Sequence, residues 1–536
     1  EVVCHPILDA LSLRLSSADR LPALEIAFPY PSHEISGSDW SASHSADHVT
    51  RLVADQQDGR YTVLRAADDL EFACTLLLEQ PATVSQSGPH AYAIQPSSAT
   101  LSLTVLVCPE HAVHTAGPAA PPPFGSCAAE AEAHWERFWT VGACVEFSGS
   151  ADPRAHELER RVVLSQYLTA IQCAGTLPPA ETGLTCNSWY GKFHLEMHPW
   201  HALHFPLWGR SHMLEPSLGY YESIAPEARA RAAEQGYRGL RWPKMTDPSG
   251  LDSPSEIGTL LCWQQPHFIV MCELIYQARR GAGETVKPHL DRYTALVFES
   301  AEFMADYASF NRDDGRYHLG PPLIPAQENH PPEASRDPVF ELEYWRLGLT
   351  LAAEWKRRLG QSVPARWEEV LANLALPPEN ERTGGYAAHA LCPDTYGDYA
   401  HDHPAMLLAL SYFSGDRIDP AVMSRTLDLV VEHWDFQSAW GWDFPTMAMC
   451  AARLGRREQA VGFLLLAAEK NTYQPNGHNA QLPNKDLPLY LPGNGALLLA
   501  IAVLAGGWAG AAGRAPGFPD DGEWVVRAEG FTAVPF

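Results

Sequence analysis

The sequence predicts a mainly α protein: an (α/α)6 barrel preceded by a β-sandwich and followed by a short C-terminal β region. Residues 1–115 alternate apolar and polar side chains, as half-buried strands do. Residues 152–504 instead hold about a dozen segments with helical periodicity, and no sequence repeat indicates a solenoid. A dozen helices in one block suit six helical hairpins around a central pocket.

The N-terminal strands are short and are separated by clusters of Ser, Gly, Asp and Pro. We expect residues 1–115 to form part of a β-sandwich. The clearest alternating segments are Leu11–Leu15, Tyr61–Leu64, Phe72–Leu78 and Leu101–Val107.

A break rich in Gly and Pro, residues 116–126, follows the strands. With a predicted helix at Ala128–Trp139 it forms a linker over residues 116–150. Residues 151–510 are predicted to form the barrel, and residues 511–536 a C-terminal β tail. The predicted barrel helices include His156–Ala174, Pro266–Arg280, Lys287–Asn311, Pro338–Leu359, Pro364–Leu374, His403–Ser414, Pro420–Trp434, Thr446–Leu454 and Glu458–Lys470.

Acidic side chains outnumber basic ones. The chain has 64 Asp and Glu against 38 Lys and Arg, which gives a formal net charge of −26. Such a surface repels phosphate backbones and anionic lipid, so nucleic-acid and membrane partners are disfavoured. Neutral partners fit, and the 16 Trp, 19 Tyr and 23 His supply rings and hydrogen-bonding groups of the kind that bind sugars.

The 11 cysteines include no CxxC pair and no zinc-like spacing, which is typical of buried free thiols. The sequence predicts no cofactor and no particular oligomeric state. No apolar run reaches the ~18 residues that span a membrane. We therefore expect a soluble protein, secreted or periplasmic if an N-terminal segment was removed.

One acidic residue, Glu328, lies on a loop that prolines keep stiff. Residues 320–329 read Gly-Pro-Pro-Leu-Ile-Pro-Ala-Gln-Glu-Asn, so neither a helix nor a central strand can continue through them. A helical pattern resumes at about Pro338. A carboxyl group on a rigid loop between helices suits a general acid, and Gln327 beside it is a candidate substrate contact. A solvated Glu on a surface turn is the alternative.

Residues 183–210 combine polar and aromatic side chains, which is costly unless they line a site. His194 and His198 have the i, i+4 spacing of a metal-binding helix, but Glu196 stands two residues after the first His, so the zinc-protease motif is absent. We predict no metal and a polar pocket, with helix packing around core histidines as the alternative. The candidate lining residues are Trp189, Lys192, His194, Glu196, His198 and Trp200.

Three further segments are candidates for the edge of the same pocket. Residues 235–267 mix turn residues with charged and aromatic side chains, residues 434–445 place Asp443 between Trp442 and Phe444, and residues 473–495 end in a Gly-rich turn. A structural loop explains the first segment equally well, and an N-cap role explains Asp443. The candidates are Arg241, Trp242, Lys244, Asp252, Trp440, Trp442, Asp443 and Asn494.

In this order the segments resemble the six-hairpin glycosidase superfamily, and glycoside hydrolase families 65 and 95 in particular. Residues 320–329 resemble the Pro-Glu-Asn loop of family 95 and the Gly-Pro-Asp-Glu loop of family 65, which carry the general acid; this implies that role for Glu328. His194–Trp200 is similar to blocks that line the sugar subsite. Four further segments resemble blocks of these families in the same order along the chain: Gln235–Gly250, His401–Leu408, Trp440–Arg453 and Tyr490–Gly495.

The resemblance has departures. Lys192 and His194 stand where family 95 has water-activating Asn residues, and Pro492 stands where it has an Asp. Fucosidase specificity therefore does not carry over to this chain.

The resemblance implies an inverting glycoside hydrolase that acts on an oligo- or polysaccharide. Glu328 would protonate the leaving oxygen, and a second carboxylate, roughly 6.5–9.5 Å away, would activate water. Asp443 is the first candidate for that carboxylate, Glu196 the second and Asp252 the third. Three alternatives stay open: a family 65-type phosphorylase with phosphate held by Lys192, Arg241 or Lys244, a non-catalytic carbohydrate-binding relative, and a polysaccharide lyase.

Overall fold

The computed structural model of the chain describes residues 1–30, 34–36, 45–53, 59–68, 70–109, 120–255 and 257–536. The chain divides into two compact units, Glu1–Val141 and Gly142–Phe536. The predicted break at residues 116–126 falls partly on residues 110–119, outside the described residues.

The described part of the N-terminal unit contains two antiparallel sheets and one helix. A six-stranded sheet has the order β1-β2-β9-β6-β5-β4, and a three-stranded sheet has the order β3-β8-β7. The strands are β1 (Val2–Cys4), β2 (Ala10–Ser16), β3 (Leu24–Ala27), β4 (His48–Val53), β5 (Arg60–Ala67), β6 (Leu70–Leu78), β7 (Ala82–Gly88), β8 (Ala91–Pro96) and β9 (Thr100–Pro109), and the helix is α1 (Phe124–Thr140).

Both sheets contribute to one apolar core. Tyr92 and Ile94 of β8 belong to the same buried cluster as Leu76 of β6 and Leu103 of β9. Alternate residues of β8 are buried, as the period of a strand requires. The four predicted strand segments are confirmed, since each lies within β2, β5, β6 or β9.

The C-terminal unit is mostly helical. Its helices are α2 (Ala155–Gln172), α3 (His198–Ala202), α4 (His204–Leu207), α5 (Glu215–Ser223), α6 (Ala225–Glu234), α7 (His267–Gly281), α8 (Lys287–Tyr307), α9 (Val339–Arg358), α10 (Ala365–Asn373), α11 (Pro420–His433), α12 (Asp443–Arg453), α13 (Arg457–Leu464) and α14 (Leu491–Gly506). Short antiparallel pairs join β10 (Cys144–Glu146) to β17 (Arg527–Glu529), β11 (Phe193–His194) to β12 (Met245–Thr246), β13 (Ser309–Asn311) to β14 (Arg316–His318), and β15 (Thr472–Tyr473) to β16 (Asn479–Ala480).

Six of these elements contact one another in a closed sequence. In order they are α4, α7, α9, the 3-10 segment Ala405–Ala409, α12 and α14, and α14 packs on α4 again. We call them the inner ring. Every residue of α14 from Leu491 to Ala505 is buried, as expected for a helix that is apolar on all sides. α2, α8, α11 and α13 pack against members of the ring.

Most helix predictions agree with the structure to within a few residues at each end. The helix predicted at His403–Ser414 is wrong, because only the 3-10 segment Ala405–Ala409 forms there. All five residues of that segment are buried, and a short, continuously apolar run does not specify a helix by its periodicity. Within the described ranges, we find no helix whose length and apolar character would let it span a bilayer.

Candidate active site

The residues that precede the inner-ring elements supply a cluster of charged groups. Glu196 lies just before α3 and α4, Asp402 and His403 precede the 3-10 segment, Asp443 opens α12, and Tyr490 precedes α14. The loop that carries Glu328 leads into α9. Segments far apart in sequence therefore meet at one place in the C-terminal unit.

A short strand pair sets the first half of the site. His194 of β11 lies opposite Met245 of β12, and the Glu196 amide donates to the Lys244 carbonyl at 3.2 Å. The Lys244 side chain consequently lies between two carboxylates. Its Nζ is 2.5 Å from Glu328 Oε1 and 3.3 Å from Glu196 Oε2.

The loop around Glu328 is held on both sides of that residue. Gln327 Nε2 donates to the carbonyls of Tyr399 at 2.7 Å and His401 at 3.0 Å. The Ala326 amide donates to the buried Glu341 carboxyl at 2.5 Å. Because its neighbours are fixed, the Glu328 side chain, 22% exposed, has a defined position at the surface of the unit.

Glu196 is the group that retains a proton. Its side chain is only 3% exposed. Burial raises the pKa of Glu196 to about 8, and the charges of Glu328 and Glu181 add to this rise although Lys244 opposes it. Burial alone would lower the pKa of Lys244, but the same carboxylates raise it, so Lys244 stays charged. At neutral pH Glu196 therefore keeps its proton next to an ammonium group.

A second buried pair lies behind the first. His194 Nε2 is 3.0 Å from Glu181 Oε2, and its Nδ1 lies 3.2 Å from the Lys192 carbonyl oxygen. Burial alone would raise the pKa of Glu181, but His194, Tyr490 and Lys244 together lower it. Glu181 is thus a buried carboxylate that stays ionised, and its charge contributes to the raised pKa of Glu196.

A third pair joins His403 to Asp443. His403 Nδ1 lies 3.1 Å from both Asp443 oxygens, and the Trp440 amide donates to Asp443 Oδ2 at 2.8 Å. Burial alone would lower the pKa of His403, but the charges of Asp443, Asp402 and Glu328 raise it to about 9. The influence of Glu328 links this pair electrostatically to the Glu196–Glu328 pair.

Asp402 is the exposed member of this group. Its carboxylate is 20% exposed, Oδ1 lies 3.6 Å from His403 Nε2, and it accepts a hydrogen bond from Trp440 Nε1 at 3.2 Å. Its backbone has φ 63°, in the left-handed region that non-glycine residues rarely adopt. Such conformations cluster at functional sites.

Two half-buried indole rings lie among these charged groups. The Trp189 ring is 5.4 Å from the His194 ring and 6.2 Å from the Trp440 ring. Trp189 and Tyr190 also have positive φ, 45° and 58°, which indicates a tightly bent segment. Half-exposed rings beside carboxyl groups are the surfaces on which the C–H faces of a sugar can pack.

The structure divides the predicted residues into two groups. The first belongs to the network of contacts around Glu328 and consists of Trp189, His194, Glu196, Lys244, Trp440 and Asp443. Within the described residues, no contact places the Lys192 side chain in this network, and its charge acts on Asp247. The second group is buried in the interior of the unit and makes structural contacts there: His198, Trp200, Arg241, Trp242, Trp442 and Asn494. Gln327 is also buried, and it orients the Glu328 loop.

The interior residues have structural partners. Arg241 donates to the carbonyls of Thr259 and Leu261, and Trp242 Nε1 donates to Ser300. Asn494 donates to Ser165 Oγ and the Gly477 carbonyl.

Other interior rings stack. His198 lies between Tyr221 and Ser217. Trp200 stacks on Trp442, which in turn stacks on His403 with ring centroids 4.1 Å apart. Trp200 and Trp442 therefore form a stack that ends at His403.

Each of the three candidates for the water-activating carboxylate has a feature that opposes that role. Asp252 is half exposed, and its carboxylate already pairs with Arg231 at 2.6 Å. Glu196 holds its proton at neutral pH, whereas a base must be ionised. Asp443 is only 1% exposed and both of its oxygens already accept hydrogen bonds.

Four residues of the cluster escaped prediction as site residues: Glu181, Asp402, His403 and Tyr490. The His-Asp-His-Pro run at 401–404 carried a usable signal, since it places charged residues directly before an apolar segment. Glu181 and Tyr490 are single polar residues in otherwise ordinary segments, and only the fold brings them to the site.

Among the described residues, one group has the donor atoms and spacing to hold a metal ion: His330, His389 and Cys392. It differs from the His194–His198 pair, which does not share a helix face because His194 lies on β11.

No protein-family model matches the sequence, and no curated protein matches it. Solved structures do resemble the fold. A human-microbiome protein provisionally named a kojibiose phosphorylase aligns with a TM-score of 0.60 and 10% identity, over 93% of this chain and 69% of that chain. A glycosidase (TM-score 0.44, 13% identity, 65% of this chain and 97% of that one) and a GH78 family rhamnosidase of Bacillus sp. GL1 (TM-score 0.43, 12% identity, 84% and 47%) are more distant.

The first of these likenesses shows a fold shared with a carbohydrate-active protein: a helix-rich unit that follows an N-terminal antiparallel sheet region.

Proposed function

We propose that the protein is a glycoside hydrolase whose helical unit is an (α/α)6 barrel. The closed contacts of the inner ring support the barrel, because six inner elements backed by outer helices are what that architecture requires. The shared fold with the phosphorylase named above supports the same superfamily. In this proposal residues 151–510 form the catalytic domain and residues 1–115 a β-sandwich.

The observation that carries the proposal is the Glu196–Glu328 pair around Lys244. A general acid must hold a proton at neutral pH and also reach the substrate. Glu196 holds the proton but is sealed, while Glu328 is exposed and bound to Lys244. We infer that Glu328 is the group that touches the leaving oxygen and that Glu196 resupplies its proton.

Asp402 is the carboxylate that we assign to water activation, in place of Asp443. It is exposed, whereas Asp443 is buried and holds His403. The pKa of His403 is raised to about 9, so its ring is charged at neutral pH, and its Nε2 lies 3.6 Å from Asp402 Oδ1. Asp443 is then a positioning residue.

These groups can supply and accept every proton that hydrolysis of one glycosidic bond requires. Water attacks the anomeric carbon while its proton passes to Asp402, and the bond from that carbon to the leaving oxygen breaks. The leaving oxygen takes a proton from Glu328, which receives one from Glu196. Trp189 and Trp440 would pack on the sugar, and the net result is one water consumed for one glycosidic bond.

A phosphorylase of the family 65 type is the second candidate, favoured by the name of the structural neighbour. It would need cationic side chains free to hold phosphate. The Arg241 guanidinium already donates to backbone carbonyls, and the Lys244 ammonium already pairs with two carboxyl groups, so neither is free to hold phosphate. The site also contains Glu181, Asp402 and Asp443, whose charges repel phosphate, so hydrolysis fits better.

The test is turnover of a panel of aryl glycosides and oligosaccharides, with and without phosphate. We expect phosphate-independent release of sugar from at least one substrate, with the product anomer inverted when read by NMR. Glu328→Gln should retain the fold and lower kcat by at least about 10²-fold on unactivated substrates. Turnover that requires phosphate would establish the phosphorylase instead, and near-normal activity of Glu328→Gln would reject the acid assignment.

The assignment of Asp402 has its own test, azide rescue. Asp402→Asn should abolish hydrolysis, and added azide should restore cleavage and give a glycosyl azide of inverted configuration, because azide needs no base. Asp443→Asn is the matched variant: it should lower activity by displacing His403, and azide should not rescue it. Rescue of Asp443→Asn alone would return the role to Asp443.

A further inference from the structure

A group of nitrogen and sulfur donors lies beside the Glu328 loop. It consists of His330, two residues after Glu328, and of His389 and Cys392 from the segment between α10 and the 3-10 segment. Each of the three residues is 3% exposed. One ligand atom from each lies within 4.8 Å of those from the other two.

His330 is the residue that makes this cluster unusual. Among the described residues, neither of its ring nitrogens has a hydrogen-bond partner, although both are sealed from solvent. A buried polar group left unpaired is destabilising, so two such atoms on one ring need an explanation. The ring stacks on Tyr399, with centroids 4.5 Å apart, and lies edge-on to His389 at 4.7 Å. Packing thus fixes the orientation of a ring whose polar atoms have no partner.

The other two residues have surroundings that suit ligands. Thr395 Oγ1 lies 3.5 Å from Cys392 Sγ and can donate to it, which is the kind of outer contact that supports a metal-bound thiolate. His389 Nδ1 accepts from the Leu391 amide at 3.1 Å. If His389 binds the ion through Nδ1, that hydrogen bond is replaced by the metal bond.

We propose that His330, His389 and Cys392 bind one zinc-class divalent cation, with water as the fourth ligand. Two imidazoles and one thiolate form a donor set that favours borderline-soft cations such as Zn²⁺ over the oxygen-seeking Mg²⁺ and Ca²⁺. On binding, Cys392 transfers its thiol proton to solvent and the metal–sulfur bond forms. The ion would tie the Glu328 loop to the segment 389–392, and the proposal holds whether or not the enzyme is a hydrolase.

The experiment uses the whole chain, purified without chelators, freed of metal and then titrated with zinc against a chromophoric chelator. We expect one zinc per chain and a higher melting temperature of the loaded protein. Loading with Co²⁺ instead should give a thiolate-to-cobalt charge-transfer band and the visible bands of a tetrahedral ion. That spectrum tests the wild-type site directly, without any substitution.

Cys392→Ser should lose the charge-transfer band and lower zinc affinity by at least tenfold, since a coordinating thiolate is replaced by a hydroxyl. Cys173→Ser is the matched control, because Cys173 is a buried cysteine packed with Leu168 and Leu491 away from the cluster. No zinc uptake by the wild type, a cobalt spectrum without the thiolate band, or equal binding by both variants would overturn the proposal. If Cys392→Ser does not fold, the wild-type cobalt spectrum decides alone.

Discussion

At the residue scale, the proposed mechanism depends on the proton that Glu196 retains beside Lys244 and Glu328. Lys244 neutralises one carboxylate, and burial keeps the second carboxyl protonated. In the proposed mechanism this arrangement sets both the acid strength of the site and the pH range of activity.

Activity should fall as the pH rises through about 8. The pKa of Glu196 is raised to about 8 by burial and by nearby carboxylates, so its proton is retained below that pH and lost above it. We expect kcat/KM of the wild type to decline about tenfold per pH unit above pH 8, which gives the pH profile a falling alkaline limb. Glu196→Gln has no titrating proton, so it should lose this limb and show a lower rate across the whole profile, measured from pH 5 to 10.

Asp252→Asn is the control for that profile, because Asp252 is half exposed and pairs with Arg231. Its pH dependence should match that of the wild type. A Glu196→Gln enzyme that kept both the wild-type rate and the limb near pH 8 would show that the proton comes from elsewhere.

The local sequence predicted some site residues and not others, because it does not show which polar side chains find partners in the folded interior. Glu328 and Lys244 stand in stiff or polar segments, and the resemblance to glycosidase loops singled out Glu328 and Glu196. Arg241 and Trp242 stand in an equally polar segment, yet their donors are satisfied by Thr259, Leu261 and Ser300. Whether a polar side chain meets solvent or a backbone carbonyl depends on packing that local sequence does not contain.

At the scale of elements, the position of the Glu328 loop is set by its contacts with distant segments of the chain. The loop's prolines and its lack of regular structure were predictable from residues 320–329. Its contacts were not, since Gln327 reaches the carbonyls of Tyr399 and His401, more than 70 residues away in sequence. Glu341 supports the loop as well, and burial raises the pKa of this carboxyl to about 7 while the Ala326 amide opposes the rise.

The contacts of residues 399–403, on which the Glu328 loop docks, could not be predicted from local sequence either. The neighbouring segment Ala405–Ala409 was predicted as part of a longer helix because the run is apolar, but the chain there is a short buried 3-10 turn. The preceding residues are held instead by side-chain contacts. Trp434 Nε1 donates to the Asp402 carbonyl, and the Asp402 amide donates to Ser438 Oγ. These contacts keep Asp402 beside His403, and no local pattern specifies them.

At the scale of the whole helical unit, the inner ring closes where α14 meets α3 and α4. The helices are more than 280 residues apart in the chain, so their approach is set by packing and not by connection. At Gly495, α14 packs so closely on the Trp200 carbonyl that an added Cβ would have no room. Trp200 supports Trp442 and His403, and Tyr490 precedes α14, so the closure also positions the candidate active site.

Gly495→Ala should open this closure. A Cβ at Gly495 would lie 1.9 Å from the Trp200 carbonyl oxygen, so the helices must move apart, at a cost of about 1–3 kcal/mol. Urea unfolding should show a lower midpoint, and kcat should fall because Trp200 and Tyr490 shift. Gly462→Ala is the matched control: Gly462 lies in α13 with nothing within 4 Å of an added Cβ, so helix propensity should make it neutral or stabilising by up to about 1 kcal/mol. Equal midpoints for the two variants would show that α14 has room at Gly495 and that the ring is not closed by this contact.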